Sequence, residues 1–352
     1  LGRAMRPEAS AGRRRGLLIL GLVFQLGLLV AVKYAGFFFG AFIDLPKLHL
    51  PLGVSFYTFH AISYLVDVYR QKTPPQKNLL RLGLYLALFP KLVMGPIVPY
   101  HELEPALAQR TIDAQDVSDG CFRFTIGLAK KALLADALAG LVTGIWGDLA
   151  SLTVLSAWLG LIGYALQLYF DFSGYSDMAI GLGRMLGFRF PENFRYPYLC
   201  SSISDFWRRW HISLGSWFKE YLYIPLGGNR RGLPRQILNI LIVWALTGLW
   251  HGAGWNFVMW GLYYFVILFI EKLFLLKALD KLPRLFRHAY ALLLIVIGWV
   301  IFASDDVSVL LPFLGSMFGA NGAVGGMDVY TLLTKAALLV ICCVASTELP
   351  KK

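Results

Sequence analysis

The sequence is poor in charged residues and in cysteine. Of its 352 residues only 15% are charged, whereas a soluble domain carries roughly 25%. Because 57% of the residues are hydrophobic, the composition excludes an ordinary soluble domain and predicts an integral membrane protein. The four cysteines show neither paired spacing nor a CxxC motif, so the sequence predicts neither a disulfide framework nor a metal site.

Two further absences narrow the fold class. The sequence lacks the alternating segments of about 10 residues that form a transmembrane β-barrel, and it shows no repeat of roughly 20 to 50 residues. Several apolar stretches approach or exceed the 20 or so residues that a membrane-crossing helix needs: 149–170, 17–32, 289–304 and the charge-free run 236–270. We expect an all-α polytopic membrane protein with about eight to ten membrane-embedded helices, some of them short.

Positive charge is concentrated in three segments. Five arginines lie within residues 3–15, and residues 184–235 hold nine Lys or Arg against three acids. Residues 271–287 hold five Lys or Arg against two acids. Since cytoplasmic segments are enriched in Lys and Arg, all three are predicted to face the cytoplasm. Polar loops are expected at 66–81 and 101–120.

The charge-free run 236–270 lies between two of these cytoplasmic segments, so it must enter the membrane and return. Its 35 residues form about 52 Å of helix, less than the roughly 60 Å of two full crossings. Gly252 and Gly254 are its only cluster of helix breakers, which predicts a turn at His251 near the membrane centre. An ionisable side chain at that depth is a functional-site hypothesis; the alternative is a neutral histidine bonded to a neighbouring helix.

A second stretch, residues 201–231, combines aromatic and basic residues at helical spacing. Ser204 or Asp205 can cap a helix that runs to Tyr221, and this pattern predicts an interfacial amphipathic helix. Membrane anchoring explains its aromatic and basic residues but not His211. The segment PLGGNRRG that follows predicts a glycine turn, which either binds an anionic group or faces anionic lipid headgroups.

A third stretch, residues 169–198, contains two aspartates, Asp171 and Asp177. Asp171 is predicted to end one helix, and Asp177 is predicted to be the N-cap of a glycine-spaced second helix. Six residues apart, the two side chains would not share a helix face. We therefore do not interpret them as a catalytic pair.

In this order, the three stretches resemble the membrane-bound O-acyltransferase family and its alginate O-acetyltransferase branch. The motifs that carry the resemblance are LGVSFYTFHAISYLVDVYR, FPKLVMGPIVPY, GLAKKALLAD, QLYFDFSGYSDMAIGLGRMLGFRFPENFRYPY, DFWRRWHISLGSWFKEYLYIPLGGNRRG and LTGLWHGAGWNFVMWGLYY. The resemblance implies a single domain over residues 1–352, built as a ring of tilted transmembrane helices around a thin centre with a tunnel. It also implies that outer helices are missing at the N-terminus and that the C-terminal end is incomplete as well.

The resemblance further implies where the site lies. His251 of the WHG motif is the expected catalytic residue, and His211 matches the family's second key polar position, where it would orient His251, position the acceptor or stabilise the oxyanion. Arg208, Arg209 and Arg230 are candidates for docking the phosphates of the donor. Further candidates for binding the donor or the acceptor are Trp210, Asn229, Trp250, Asp171, Ser173, Asp177 and Asn256.

The predicted function is transfer of an acetyl group from a cytoplasmic thioester donor, acetyl-coenzyme A or an acylated carrier, to hydroxyls of an exported, alginate-like polysaccharide. We expect no bound cofactor or metal, and a multi-pass location in the bacterial inner membrane. The expected partners are the donor, the polysaccharide or a periplasmic acetyltransferase, and the bilayer, with no nucleic acid.

Three alternatives remain open at this stage. They are D-alanyl transfer to a cell-wall polymer, a proton-coupled transporter with His251 as a relay, and a structural subunit whose catalysis resides in a partner. A transporter would show broken helices in two related halves, and the sequence has one such break. An enzyme that joins substrates from opposite sides of the membrane requires a polar passage to His251 from both faces.

The charge asymmetry generates a topology prediction. Cysteines introduced at Gly232 and Leu282 are expected to react with a membrane-impermeant thiol reagent from the cytoplasmic side, because both lie in the basic segments. Labelling of both positions from the periplasmic side alone would overturn the predicted orientation.

Overall fold

The computed structural model describes residues 1–40, 42–43, 51–147 and 151–349, and within these ranges it contains helices and no strand. Five helices are long and apolar enough to cross a membrane: Ala11–Phe39, Val154–Met185, Gly232–His251, Arg284–Ala303 and Gly326–Ala345. The prediction of an all-α polytopic membrane protein is therefore confirmed.

The sixteen α-helices of the described residues follow one another along the chain, and π-helical turns extend several of them. The α-helices are α1 Ala11–Leu29, α2 Ala35–Phe39, α3 Val54–Tyr69, α4 Leu79–Ala87, α5 Tyr100–Ala108, α6 Ala114–Ala129, α7 Asp136–Trp146, α8 Val154–Met185, α9 Ile203–Trp207, α10 Ile212–Phe218, α11 Gly232–His251, α12 Trp255–Ile270, α13 Leu276–Leu279, α14 Arg284–Ala303, α15 Leu310–Met317 and α16 Gly326–Ala345. The π-helical turns are Val30–Tyr34, Lys130–Ala135, Lys219–Tyr223 and Glu271–Leu275.

The chain divides into two compact units. Unit 1 consists of Leu1–Ile126, Tyr175–Glu192 and Ser213–Leu226, and unit 2 consists of Gly127–Gly174, Asn193–Ile212 and Gly227–Lys352. Both candidate histidines belong to unit 2.

Unit 1 is organised around α3, which packs against α1, α4 and α5. Buried aromatic rings fill the space between these helices: Tyr100 lies edge to face with Tyr64 at 4.8 Å and with Tyr85 at 4.9 Å. Such pairs contribute beyond their buried area.

Unit 2 is organised around the hairpin of α11 and α12, with α14 packed beside α12. Glycines bring the two hairpin helices close together: a Cβ at Gly261 would lie 2.4 Å from the carbonyl oxygen of Trp244, and one at Gly248 would lie 2.3 Å from that of Phe257. The hairpin turns at residues 252–254, so the predicted break after His251 is confirmed.

The depth of this turn stays a prediction, because the helices are longer than the charge-free run indicates. α11 begins at Gly232 rather than Gln236, and its 20 residues span about 30 Å, enough for one full crossing. The length of the run therefore no longer requires a turn near the membrane centre.

The predicted helix boundary at Asp171 and Asp177 is wrong. Both residues lie inside α8, which continues for 32 residues, and Asp177 is not an N-cap but pairs with Arg123 at 2.6 Å. The glycines in the second half of α8 permit close packing, since a Cβ at Gly181 would lie 2.5 Å from the carbonyl oxygen of Gly120.

The single interfacial helix predicted from Ser204 to Tyr221 is also wrong. The segment forms α9 and α10, separated by residues 208–211, and the N-cap of α9 is Ser202, whose side chain accepts a hydrogen bond from the Asp205 N–H. Its aromatic residues are buried in protein rather than in lipid, because helices distant in sequence cover them. The buried set is Phe206, Trp210, Trp217, Phe218 and Tyr221.

Both predicted polar loops are shorter than expected. α3 continues to Tyr69, so the first loop begins at Arg70 rather than Val66, and α5 and α6 occupy most of residues 101–120. The sequence-based prediction of loops is wrong here because polar and charged residues at the ends of these helices resemble those of a loop.

The close approach of α11 and α12 generates a stability prediction. Gly261→Ala is expected to destabilise the folded protein by roughly 1–3 kcal/mol, because its Cβ would collide with a backbone carbonyl that cannot move freely. The matched control is Gly140→Ala in α7, where a Cβ meets no atom within 4 Å and helix propensity favours alanine. Thermal unfolding in detergent measures both variants, and equal melting temperatures would contradict the packing argument.

Candidate active site

His251 is the last residue of α11, and its own helix fixes its ring. Its Nδ1 lies 2.7 Å from the carbonyl oxygen of Thr247, one turn earlier. A carbonyl oxygen can only accept, so in the neutral ring Nδ1 carries the proton and Nε2 carries the lone pair. The position also places the imidazole at the negative end of the helix dipole, which favours a positive charge on the ring.

Three aromatic rings surround the imidazole of His251 edge to face. The centroid distances are 5.0 Å to Trp250, 4.8 Å to Trp260 and 5.5 Å to Phe302. Asn256 holds one of these rings in place, because its Nδ2 donates to the carbonyl oxygen of Phe302 at 3.1 Å. Asn256, a predicted binding residue, therefore supports the wall of the site in this structure.

The turn after His251 requires glycine for space rather than for backbone conformation. Gly252 has extended backbone (φ −168°), which any residue adopts, but a Cβ there would lie 2.0 Å from the Phe257 ring. That ring in turn contacts Phe302 at 5.1 Å. Gly252 thus lets the aromatic wall close directly behind His251.

His211 lies between α9 and α10, and a residue distant in sequence fixes it. Its Nδ1 lies 3.1 Å from Oδ1 of Asn193, and the backbone N–H of Ile212 donates to the Asn193 carbonyl at 3.0 Å. Both side chains are buried. Since Oδ1 accepts, the neutral ring again carries its proton on Nδ1, and Nε2 has no hydrogen-bond partner among the described residues.

The backbone at His211 is strained, with φ +45°. A non-glycine residue in this left-handed region costs of order 1–3 kcal/mol and persists where the surroundings hold it. Here the ring of Phe172 packs edge to face on the imidazole at 4.7 Å, and Asn193 holds both the ring and the next backbone amide. Strain of this kind clusters at functional sites.

Trp250 connects the two histidines. Its ring contacts His251 at 5.0 Å and His211 at 6.2 Å, and the two imidazoles are close enough to interact electrostatically. The structure therefore brings together three of the residues singled out in the sequence, although 40 positions separate the two histidines.

The other predicted site residues lie in different surroundings. Trp210 is a core residue, 5.0 Å from Phe194 and 4.9 Å from Trp299. Ser173 is buried, and its Oγ has no hydrogen-bond partner among the described residues. Asp171 pairs with Lys131 at 2.5 Å.

The three arginines predicted to bind the donor phosphates differ in whether their guanidinium groups are already paired. Arg209 forms an ion pair with Asp205 at 3.0 Å, whereas Arg208 and Arg230 are exposed. Asn229 is exposed in the predicted glycine turn and accepts a hydrogen bond from Gln236. The turn itself is confirmed by positive φ at Gly227 and Gly228.

Glu271 is a structural determinant of the site that the sequence did not reveal. Its buried carboxylate accepts from the backbone N–H of Ile203 at 2.7 Å and from the N–H and Oγ of Ser204 at 2.8 and 2.6 Å. A carboxylate at these amides complements the helix N-terminus and anchors α9 ahead of His211. The sequence shows Glu271 only as the first charged residue after the run 236–270 and the first residue of a segment predicted to face the cytoplasm.

The fold and the site together define the class of this protein. It is a helical membrane protein with two buried or half-buried imidazoles beside one tryptophan. The chain belongs to the membrane-bound O-acyltransferase family, whose sequence model matches residues 68–304, a range that contains both histidines. The resemblance seen in the motifs is therefore confirmed.

Individual relatives are consistent with this membership. The chain is 44% identical over 313 residues to a protein of Azotobacter vinelandii named "Probable alginate O-acetylase AlgI", covering 86% of this chain and 62% of the relative. The protein of that name from Pseudomonas aeruginosa is 43% identical over 328 residues, covering 89% and 63%. A peptidoglycan O-acetyltransferase of Helicobacter pylori is 36% identical over 346 residues, covering 88% and 66%. The chain thus spans less than two thirds of the length of the first two relatives.

The Asn193 contact generates a prediction about positioning. Asn193→Ala is expected to lower, per folded molecule, the acetyl transfer predicted from the sequence, because His211 loses the acceptor that fixes its tautomer and ring plane. If Asn193 acts through His211, the double variant Asn193→Ala/His211→Ala is expected to be no slower than His211→Ala alone. Additive losses in this double-mutant cycle would show that Asn193 acts independently of His211.

Proposed function

We propose that the protein is a membrane O-acetyltransferase that moves an acetyl group from a cytoplasmic thioester donor to hydroxyls of an exported, alginate-like polysaccharide. The observation that carries the proposal is His251 itself, held by Thr247 in the tautomer of a general base and enclosed by aromatic rings. Family membership supports acyl transfer, and the names of the relatives support acetyl groups and polysaccharides.

In the proposed reaction, His251 activates the acceptor. The acceptor hydroxyl donates its hydrogen bond to Nε2, its oxygen attacks the thioester carbonyl, and Nε2 takes the proton. The resulting imidazolium is stabilised by the Thr247 carbonyl and by the C-terminal end of α11. When the carbon–sulfur bond breaks, the same proton passes to sulfur, so an ester and a free thiol are the products.

His211 suits the role of positioning the acceptor. With its proton on Nδ1 and directed to Asn193, the neutral ring presents an acceptor lone pair at Nε2. Such a ring can accept a hydrogen bond from a sugar hydroxyl but cannot donate one to an oxyanion. Of the three roles considered for His211, its geometry therefore favours orientation of the hydroxyl.

The proposed donor is acetyl-coenzyme A or an acylated carrier, bound as a substrate rather than as a resident cofactor. The exposed guanidinium groups of Arg208 and Arg230 are candidates for its phosphates, while Arg209 is engaged with Asp205. The proposed location is the bacterial inner membrane, where donor and acceptor lie on opposite sides. His251 would then be reached through a polar passage from both faces, and a periplasmic acetyltransferase partner can take the place of the polysaccharide as acceptor.

D-alanyl transfer is less favoured, because the relatives described above are named for acetyl transfer. A proton-coupled transporter is less favoured, because the family to which the chain belongs is one of acyltransferases. Release of free thiol from acetyl-coenzyme A by the purified protein, with alginate oligosaccharide as acceptor, separates transfer from transport and from a purely structural role.

The general-base assignment generates a prediction. His251→Ala is expected to fold and insert into the membrane but to lose at least about 10²-fold in acetyl transfer, as expected when a general base is removed. The readouts are thiol release in vitro and the acetyl content of exopolysaccharide, by mass spectrometry, from a deletion strain that carries the variant.

The matched control is His288→Ala. His288 is also a half-buried histidine of unit 2 and also binds a backbone carbonyl, that of Cys200 at 2.9 Å, but it has no place in the proposed reaction. Near-normal turnover of His251→Ala, or an equal loss in the control, would remove His251 from the mechanism.

A further inference from the structure

Unit 1 contains a buried lysine without a counter-charge. Lys91 ends the short 3₁₀ turn Phe89–Lys91 and is 0% exposed. Its Nζ makes no hydrogen bond, and no carboxylate of residues 1–40, 42–43, 51–147 or 151–349 forms an ion pair with it. The closest favourable contact is the Tyr85 ring, 4.3 Å from Nζ to the centroid.

A second unsatisfied group contacts the same ring. His60 of α3 is 0% exposed, and neither of its ring nitrogens has a hydrogen-bond partner among the described residues. Its ring lies edge to face with Tyr85 at 5.5 Å, and His60 and Lys91 interact electrostatically. The Tyr85 hydroxyl cannot serve either of them as a counter-charge, because it is neutral and donates to the carbonyl oxygen of Val98 at 3.0 Å.

The acid that follows on the same helix is already engaged. Asp67 lies seven residues after His60 on α3, and its carboxylate accepts from the Tyr221 hydroxyl at 2.9 Å and lies 2.9 Å from His101 Nδ1. The surroundings of Lys91 and His60 are thus rich in donors and poor in acceptors.

Desolvation makes such an arrangement unfavourable unless something else is bound. A buried ammonium without a partner is far more costly than a cation–π contact can offset, and an unsatisfied imidazole N–H adds to that cost. Burial therefore lowers the pKa of Lys91 and favours its neutral amine when nothing is bound, whereas a ligand that accepts hydrogen bonds and carries negative charge would stabilise the ammonium.

We propose that Lys91 and His60 form a buried binding site for a small monovalent anion, either a halide such as chloride or a small carboxylate such as acetate. The Lys91 ammonium and one His60 N–H would donate to it. The single positive charge of the Lys91 ammonium is neutralised by a monovalent anion, and the full burial of Lys91 and His60 against Tyr85 favours a small one. The site lies within unit 1, uses no residue of the proposed reaction and does not rest on the proposed function.

The test is anion-dependent stability of the full chain in detergent. Thermal unfolding is measured in sodium chloride, bromide and acetate against sodium gluconate, a bulky anion, at constant ionic strength. A ligand that binds only the folded state raises the melting temperature with its concentration, and we expect a rise of about 2 °C for each tenfold increase above half-saturation.

Two variants locate the effect. Lys91→Met is expected to abolish the difference between the small anions and gluconate, because it removes the charge while keeping an unbranched apolar side chain. Lys77→Met, at an exposed lysine of the same unit, is expected to retain the wild-type difference. Stabilisation by halides alone or by acetate alone identifies which source of anion the site takes, and either supports the proposal.

A direct measurement covers the case in which Lys91→Met does not fold. Crystals of the wild-type protein grown in bromide are expected to show an anomalous scattering peak between Lys91 Nζ and the His60 ring. Wild-type melting temperatures that are the same in all four anions, an anion effect that persists in folded Lys91→Met, or bromide-containing crystals without this peak would each overturn the proposal.

Discussion

The hydrogen bond from His251 to the Thr247 carbonyl is the interaction on which the proposed chemistry depends. This bond requires α11 to remain helical up to His251, since Thr247 lies one turn earlier on the same face. It also requires the chain to leave the helix immediately afterwards, so that the other side of the ring can contact substrate. Gly252 meets the second requirement by letting Phe257 pack where a Cβ would stand. Asn256 and Phe302 then complete the wall from α12 and α14. The surroundings of the His251 tautomer are thus built by α11, α12 and α14 together with Gly252.

His211 reaches the same chemical state by a different route. Its Nδ1 is also engaged by an oxygen and its Nε2 is also left as the acceptor, but the engaging residue, Asn193, comes from a separate segment. The surrounding backbone has to be held against its preference for negative φ, and Glu271 contributes by fixing the start of α9 from the end of α12. One histidine is therefore oriented by local helix geometry and the other by long-range contacts.

This difference explains which parts of the structure could be predicted from the sequence. The break after His251 was predictable because glycine acts locally and a charge-free run is visible in composition. The break before His211 was not, because Ser204 to Tyr221 has continuous helical spacing, which is interrupted by contacts with the separate segment of Asn193 and Arg195. The aromatic residues of that stretch suit a membrane surface and a protein core equally well. Which of the two they occupy depends on whether other helices cover them, and the sequence does not show this. Asp177 failed as a cap for a similar reason: its partner, Arg123, is 54 positions away.

Buried polar groups in both units differ in how far protein atoms satisfy their hydrogen bonds. In unit 1 the buried carboxylate of Asp67 has protein partners on both oxygens. We therefore interpret it as a structural group that needs no ligand to complete its hydrogen bonds. In unit 2 the same holds for Glu271, whereas Nε2 of His211 and Oγ of Ser173 have no hydrogen-bond partner in the part of the chain that the structure describes. A low-dielectric interior penalises each unsatisfied group, so a sequence that retains them must gain the missing hydrogen bonds from water or from a bound molecule. In the proposed reaction, a sugar hydroxyl supplies the donor that the lone pair of His211 requires.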